Sequence, residues 1–429
     1  MKTHLVKLVR GVLPKPFVFW LTRTYRRLRL AIVSFWYGYP AKHLKFIAAT
    51  GTNGKTTTLC LLNEVLKTAG YRTALFTTAV IELNGESRLN DSNTTVASTA
   101  EMQRFFTAAK DAEVDYVLLE VTSHALDQFK LPKLNLEVAI FTNLTQDHLD
   151  YHKDMDEYAF AKSKLWHMEP RFSVVNVDSD WFEYFAQFSP LERLVTYGAK
   201  SAATFRIVKA ALYRKGSDIT VEIDDKESDF GTQLPGRFNV YNAVAAMAAA
   251  TCLDIDAKAI HDGIAQLSHI PGRQETIAND LGLDIIVDYA HTPDALGQLL
   301  DYARTTSRGT VSLVFGACGD RDQTKRPIMG RLAAQKADRL FITDEENYTE
   351  GASVIRQMII DGIQEVDPNL DKAIEIPNRR DAITAAIAVA KPGDMILITG
   401  LGHEQYRVID GVKVPWRDQQ VVQETLKEL

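Results

Sequence analysis

Phe46-Ile47-Ala48-Ala49-Thr50-Gly51-Thr52-Asn53-Gly54-Lys55-Thr56-Thr57-Thr58 decides how the chain is read. The apolar run has the character of a buried strand, the glycines that of a tight turn, and residues 59–69 that of a helix. Together they form a loop that cradles phosphate. Gly51 and Gly54 allow backbone N–H groups from Gly51 to Thr57 to converge on phosphate oxygens, and the helix N-terminus adds partial positive charge. Lys55 reaches the outer phosphates, and Thr56 can offer its hydroxyl to Mg²⁺. The strict P-loop pattern asks for glycine five residues before Gly54, where this chain has Ala49.

The variant TGTNGKTTT (residues 50–58) resembles the loop of the Mur ligase family, whose members make amide bonds from ATP, a carboxylate and an amine. The chain's 429 residues, 46% hydrophobic and 24% charged, suffice for a sizeable core divided among two or three domains. Three scattered cysteines, Cys60, Cys252 and Cys318, exclude a disulfide framework or thiolate zinc site and fit a reducing cytoplasm. No stretch reaches the roughly 18 uncharged apolar residues of a membrane span.

Charge is unevenly distributed. Residues 1–43 carry nine Lys and Arg and no Asp or Glu, a +9 leader against −15 for the remainder. Within it Phe17, Trp20, Leu21, Tyr25, Leu28, Ile32, Phe35 and Trp36 recur at helical spacing, interrupted by Arg23, Arg26, Arg27 and Arg29. This predicts an amphipathic basic helix. It would either contact an anionic membrane surface peripherally or pack on its own globular body; without a binding module beside it, nucleic acid is not expected.

Residues 73–79 are strand-like and the polar 83–99, with Thr94 and Thr95, loop-like. Residues 116–126 form a buried-type strand ending in Glu120, Thr122, Ser123 and His124, and residues 137–141 form another running into an Asp147-His148-Leu149-Asp150 cluster. Ligands of open α/β sheets bind at such carboxyl ends. Glu120 and His148 supply an oxygen and a nitrogen suited to a divalent ion held mainly by phosphate. A strand begins at Ser173, and residues 231–250 make a loop entering an Ala-rich, close-packing helix, where Asn239 and Asn242 could cap the entrance.

Residues 271–273 (Pro-Gly-Arg) are linker-like, and strand-like runs at 284–288, 310–315, 338–343 and 394–399 form a second doubly wound unit. The expected architecture is α/β: leader 1–43, a P-loop-containing domain 44–271 and a Rossmann-like domain 272–429.

EVTSHAL (120–126), NLTQDHLDYH (143–152), AKSKLW (161–166), GRFNVYN (236–242), KRPIMG (325–330) and KPGDMILITGLGHEQY (391–406) resemble, in order, motifs of the tripeptide-synthetase (MurE-like) branch of the Mur ligases. The resemblance implies Mg²⁺ ligands Glu120 and His148, muramoyl-peptide contacts at Thr94, Thr95 and Ser123, and a carbamylated Lys162 holding a second Mg²⁺. It further implies Asn242 beside adenine, Arg273 on the nucleotide phosphates, Asp288 on the ribose, and His291 and Arg321 at the domain interface around the site.

Two departures follow. Members of the branch usually begin with a UDP-holding domain of about a hundred residues, a full domain by size, and the leader is too short for one. Where diaminopimelate-adding members carry Asp-Asn-Pro-Arg, this chain has Thr343-Asp344-Glu345-Glu346-Asn347-Tyr348, with no arginine to clamp a carboxylate. Asp344, Glu345 and Glu346, with Glu404, suit an acceptor bearing an exposed amine, such as lysine or ornithine; a solvated acidic loop is the plainer alternative.

The function expected is an ATP-dependent carboxylate–amine ligase adding an amino acid to a muramoyl peptide through an acyl phosphate, by default as a monomer. The alternatives are a ligase for a lipid-linked or other carboxylate and a nucleotide-binding scaffold without catalysis.

Overall fold

The structure, a computed structural model, describes residues 14–91 and 97–428. Thr94 and Thr95 therefore lie outside the described residues.

Two sheets organise the chain. In the first, strands Thr73–Phe76, Tyr116–Glu120, Phe46–Thr50, Leu136–Phe141, Phe172–Asn176 and Leu194–Gly198 lie side by side and parallel. Phe46–Thr50 is buried throughout because helices cover both faces, which is why it reads as an unbroken apolar run rather than an alternating one. Its carboxyl end opens into the loop and the helix Lys55–Thr68. That helix packs on the helices Arg237–Thr251 and Ala257–Gln266, where small side chains are required: a Cβ on Gly263 would lie 2.5 Å from Val65 Cα.

Both edges of this sheet are antiparallel, and the sequence reading missed both. Residues 83–99, expected as loop, include the strand Glu86–Leu89, paired with Val80–Leu83. Its pattern is polar and exposed because only one edge is bonded, leaving no periodicity to read. On the far side Phe205–Tyr213, Gly216–Ile223 and Lys226–Thr232 form a meander.

The second sheet runs Glu275–Ile277, Asp284–Asp288, Met395–Thr399, Val311–Phe315, Arg339–Ile342, Ala373–Glu375, parallel except for the first pair. Helices such as Pro293–Thr306 and Lys325–Lys336 cover one face, Arg379–Ala388 and Asp418–Glu428 the other.

The leader forms a helix over Lys15–Trp36. Its arginine-bearing side faces the protein: Arg29 donates to Thr99 Oγ1 (3.3 Å), and Arg23 and Arg27 lie over the Phe129 ring at 5.3 and 4.7 Å. Ser34, on the same side, accepts from Gln103 (3.1 Å). The aromatic and aliphatic side points to solvent, with Trp36 84% and Phe35 71% exposed. No described helix is long and apolar enough to cross a membrane.

Candidate active site

Parallel strands of the first sheet deliver their carboxyl ends to one cleft of about 880 Å³, whose other wall comes from the second sheet. The loop after Phe46–Thr50 is shaped by close approach. Gly51 has φ +148° and Gly54 φ +87°; a Cβ on the first would meet Thr142 Oγ1 at 2.0 Å, and on the second Asn242 Oδ1 at 2.4 Å.

Lys55 leads the helix into this cleft, donating to Thr52 O (2.8 Å) and standing 3.7 Å from Glu120 Oε1. Thr56 donates to Glu120 Oε2 (2.7 Å), which also accepts the Thr78 N–H (2.9 Å). Burial pushes the Glu120 carboxyl up, but Lys55, those two donors and Arg273 outweigh it and hold it below the usual range, so it is ionised. From the second lobe Arg273 donates to Thr56 Oγ1 (3.3 Å), its guanidinium over the Tyr289 ring at 4.5 Å and its Nε without a partner.

His148 holds a left-handed backbone at φ +58°, and its ring is 3.4 Å from Asp147 Oδ2. Burial lowers its pKa to about 3, so the imidazole is neutral, the form that ligates metals. His124 lies edge-on to it at 4.8 Å. Lys162 is 2% exposed, donates to Gly51 O (2.6 Å) and sits over the Tyr158 ring. Burial, reinforced by Lys55, drives its amine well below the usual lysine range.

On the second lobe Asp288 accepts from the backbone of Gln274 and Ala290, both at 2.7 Å. His291 takes a 2.7 Å bond to Tyr289 O and approaches Asp147 Oδ2 at 3.6 Å, and Arg321 lies over Tyr348. Glu345, Glu346 and Glu404 gather at the same wall. Glu345 Oε2 and Glu404 Oε2 are buried without partners, and burial, with Glu346 and Glu345 nearby, raises the Glu404 carboxyl well above its usual range.

Lys55, Thr56, Glu120, His148, Asn242, Arg273, Asp288, His291, Arg321 and Glu404 all line the one cleft. Three expectations need correction. Asp344 does not face it: its carboxylate is bound by Arg356, a long cation on the following helix, and Glu345 and Glu346 take the cleft position. Ser123 is fully buried and bonded to His152 Nε2 (2.9 Å), leaving Thr122 and His124 at the cleft wall. Neither asparagine caps the helix Arg237–Thr251, which starts from Gly236; instead Asn242 donates to Asn239 (3.0 Å) and accepts from Thr58 (3.3 Å).

The sequence reading also passed over Lys325, 4% exposed and 3.1 Å from Asp147 Oδ1 across the lobes. Its signal was present: a lysine in the first turn of a helix opposes the macrodipole and needs a compensating anion.

The donors present fit a phosphate-held Mg²⁺. Among the described residues no three His, Cys, Asp or Glu side chains converge as a protein-only cage. A single ionised carboxylate joined to a hydroxyl beside an anion loop is how Mg²⁺ sites use protein sparingly.

The family models for the Mur ligase middle domain and for the Mur ligase glutamate ligase domain match residues 49–250 and 272–402. A UDP-N-acetylmuramoyl-L-alanyl-D-glutamate–2,6-diaminopimelate ligase of Clostridium botulinum is 35% identical over 94% of this chain and 82% of its own. The chain belongs to the Mur ligase family. A second Mur ligase of the same description, from Aquifex aeolicus, is 38% identical over 91% of this chain and 79% of that protein. Among solved structures, one of that same ligase superposes with TM-score 0.64 at 30% identity, over 94% of this chain and 83% of the other. Mycobacterium tuberculosis folylpolyglutamate synthase shares the Mur ligase fold, with TM-score 0.71 at 19% identity, covering 87% of this chain and 91% of that one. This Mur ligase is accordingly an α/β protein with middle and C-terminal Mur ligase domains, and an amide-bond ligase by family.

Proposed function

We propose that this Mur ligase joins an amino acid to the terminal carboxylate of a muramoyl peptide at the expense of ATP. One convergence carries the reading: Lys55, Thr56 and Glu120 from the phosphate loop side and Arg273, Glu345 and Glu404 from the other lobe face the same cleft.

The backbone N–H groups from Gly51 to Thr57 and the Lys55 ammonium bind the triphosphate, Asn242 borders the adenine, and Asp288 takes the ribose. Thr56, Glu120, His148 and Lys162 would hold Mg²⁺, which when bound offsets charge on the phosphoryl oxygens. Lys162 is suited to that part only after carbamylation, which reverses its charge; the burial that lowers its amine's pKa favours the uncharged form that adds CO₂. The substrate carboxylate oxygen attacks the γ-phosphorus and ADP leaves. The acceptor amine then attacks the acyl carbon and inorganic phosphate departs. Lobe contacts such as Lys325–Asp147 exclude water that would hydrolyse the acyl phosphate. Glu345, Glu346 and Glu404 receive the acceptor's ammonium, with Arg321 and His291 at the substrate's edge of the cleft. The chain works as a monomer in the cytoplasm.

The decisive experiment measures ADP release with and without each co-substrate. Release requiring both a muramoyl peptide and an amino acid supports the reading; steady release needing neither assigns the cleft to another reaction. A second reading, in which the carboxylate is carried on a lipid, is favoured by the exposed apolar side of the leader helix.

A further inference from the structure

The leader helix is turned inside out for a helix that only packs on its own protein. Projected down its axis, the outward arc carries Trp20, Leu21, Tyr25, Leu28, Ile32 and Phe35, every one exposed, and no charged residue. Arg23, Arg26, Arg27 and Arg29 occupy the inward half and its flanks. A helix stabilised by burying its apolar stripe would do the opposite. Contiguous exposed apolar surface of this extent marks a contact surface.

We propose that this outward face lies flat on an anionic lipid bilayer, with the helix in the interface plane. Three observations select lipid. Along the helix and just after it the face is flanked by cations only: residues 17–43 contain Arg23, Arg26, Arg27, Arg29 and Lys42 and no acid, whereas the chain after residue 43 is net negative. An anionic surface therefore attracts this helix and repels the remainder, which fixes the orientation. The face is rich in Trp and Tyr, which favour the headgroup level, and Trp36 ends it at 84% exposure. The 22-residue helix is not apolar enough to span, so it lies on the surface rather than crossing it.

The contact has a consequence for the cleft. Gln128 and Lys130 form part of its rim, and Arg29 and Arg26 lie close enough to Lys130 to depress its ammonium further, after burial. The helix thereby joins one wall of the cleft to the proposed lipid-facing surface.

The test is vesicle flotation of the full chain, scored independently of turnover, so that it stands or falls apart from the ligase reading. Expected is co-flotation with phosphatidylglycerol-containing vesicles and not with pure phosphatidylcholine, weakened at high salt. Leu28→Glu/Ile32→Glu, both outward, should reduce binding at least tenfold with an unchanged thermal midpoint. Equal binding by the variant, absence of binding to anionic vesicles, or a lipid-free dimer that the variant dissociates would each overturn the proposal; the last would assign the face to a second copy.

Discussion

Lys325 Nζ lies 3.1 Å from Asp147 Oδ1, a buried ion pair between the helix that follows one sheet's strand and the loop that follows the other's. Asp147 also meets His148 and His291, at 3.4 and 3.6 Å, so one carboxylate ties the lobes together beside a candidate metal ligand. Burial pushes its pKa up, yet Lys325 and the two histidines hold it well below the usual range. Removing one partner of a buried pair costs about 3–5 kcal/mol because the other charge is stranded. Lys325→Met should therefore open the lobes, raising the radius of gyration in small-angle scattering and lowering kcat, while Lys325→Met/Asp147→Asn recovers stability in a double-mutant cycle without recovering activity.

Lys55→Ala should reduce ATP turnover on the order of a hundredfold or more, by removing a cation from the transferring phosphoryl. Since Lys55 also faces Glu120, folding must be checked by thermal midpoint. Retained turnover would place the nucleotide elsewhere.

Lys162→Ala should abolish ligation and be partly rescued by short-chain carboxylates, which can replace a carbamate but not an ammonium. A ¹³C carbamate resonance from labelled bicarbonate, lost in the variant, would identify the modification directly. Rescue by alkylamines instead would show that an ammonium is needed.

Glu404→Gln and Glu345→Gln should raise KM for a diamino acid acceptor about tenfold or more, with less effect on ATP, because each leaves a buried oxygen now poised for an ammonium. Asp344→Asn should leave that KM unchanged, since Arg356 already holds Asp344. A larger effect at Asp344 than at Glu345 would reverse the assignment.

His152 is buried, with its pKa lowered to about 4, chiefly by burial and then by Lys162. Below its unfolded value near 6.5 the unfolded chain binds a proton that the folded one refuses, so folding stability falls as the pH is lowered. Its contribution is complete above pH ~6.5 and is lost toward about 4, at up to roughly 1.4 kcal/mol per pH unit. Denaturant unfolding of wild type against His152→Asn at pH 7 and 5 should show wild type losing its relative stability at the lower pH; a difference independent of pH would refute the burial argument.

The sequence alone determined the parts whose code is local. A buried strand, two glycines and a lysine within residues 46–58 prescribe an anion loop, because backbone sterics and strand burial act over a few neighbours. The same holds for the leader's helical period and for the parallel strands that end in Glu120 and Asp288. Only the tertiary structure decided which way side chains turn once elements meet. It gave Asp344 to Arg356, sank Ser123 beneath His152 and paired Lys325 with Asp147, and it set the arginines of the leader inward. Partners that are 12, 29 and 178 positions apart leave no mark on local periodicity, and their choice rests on desolvation and charge pairing that exist only after the lobes close.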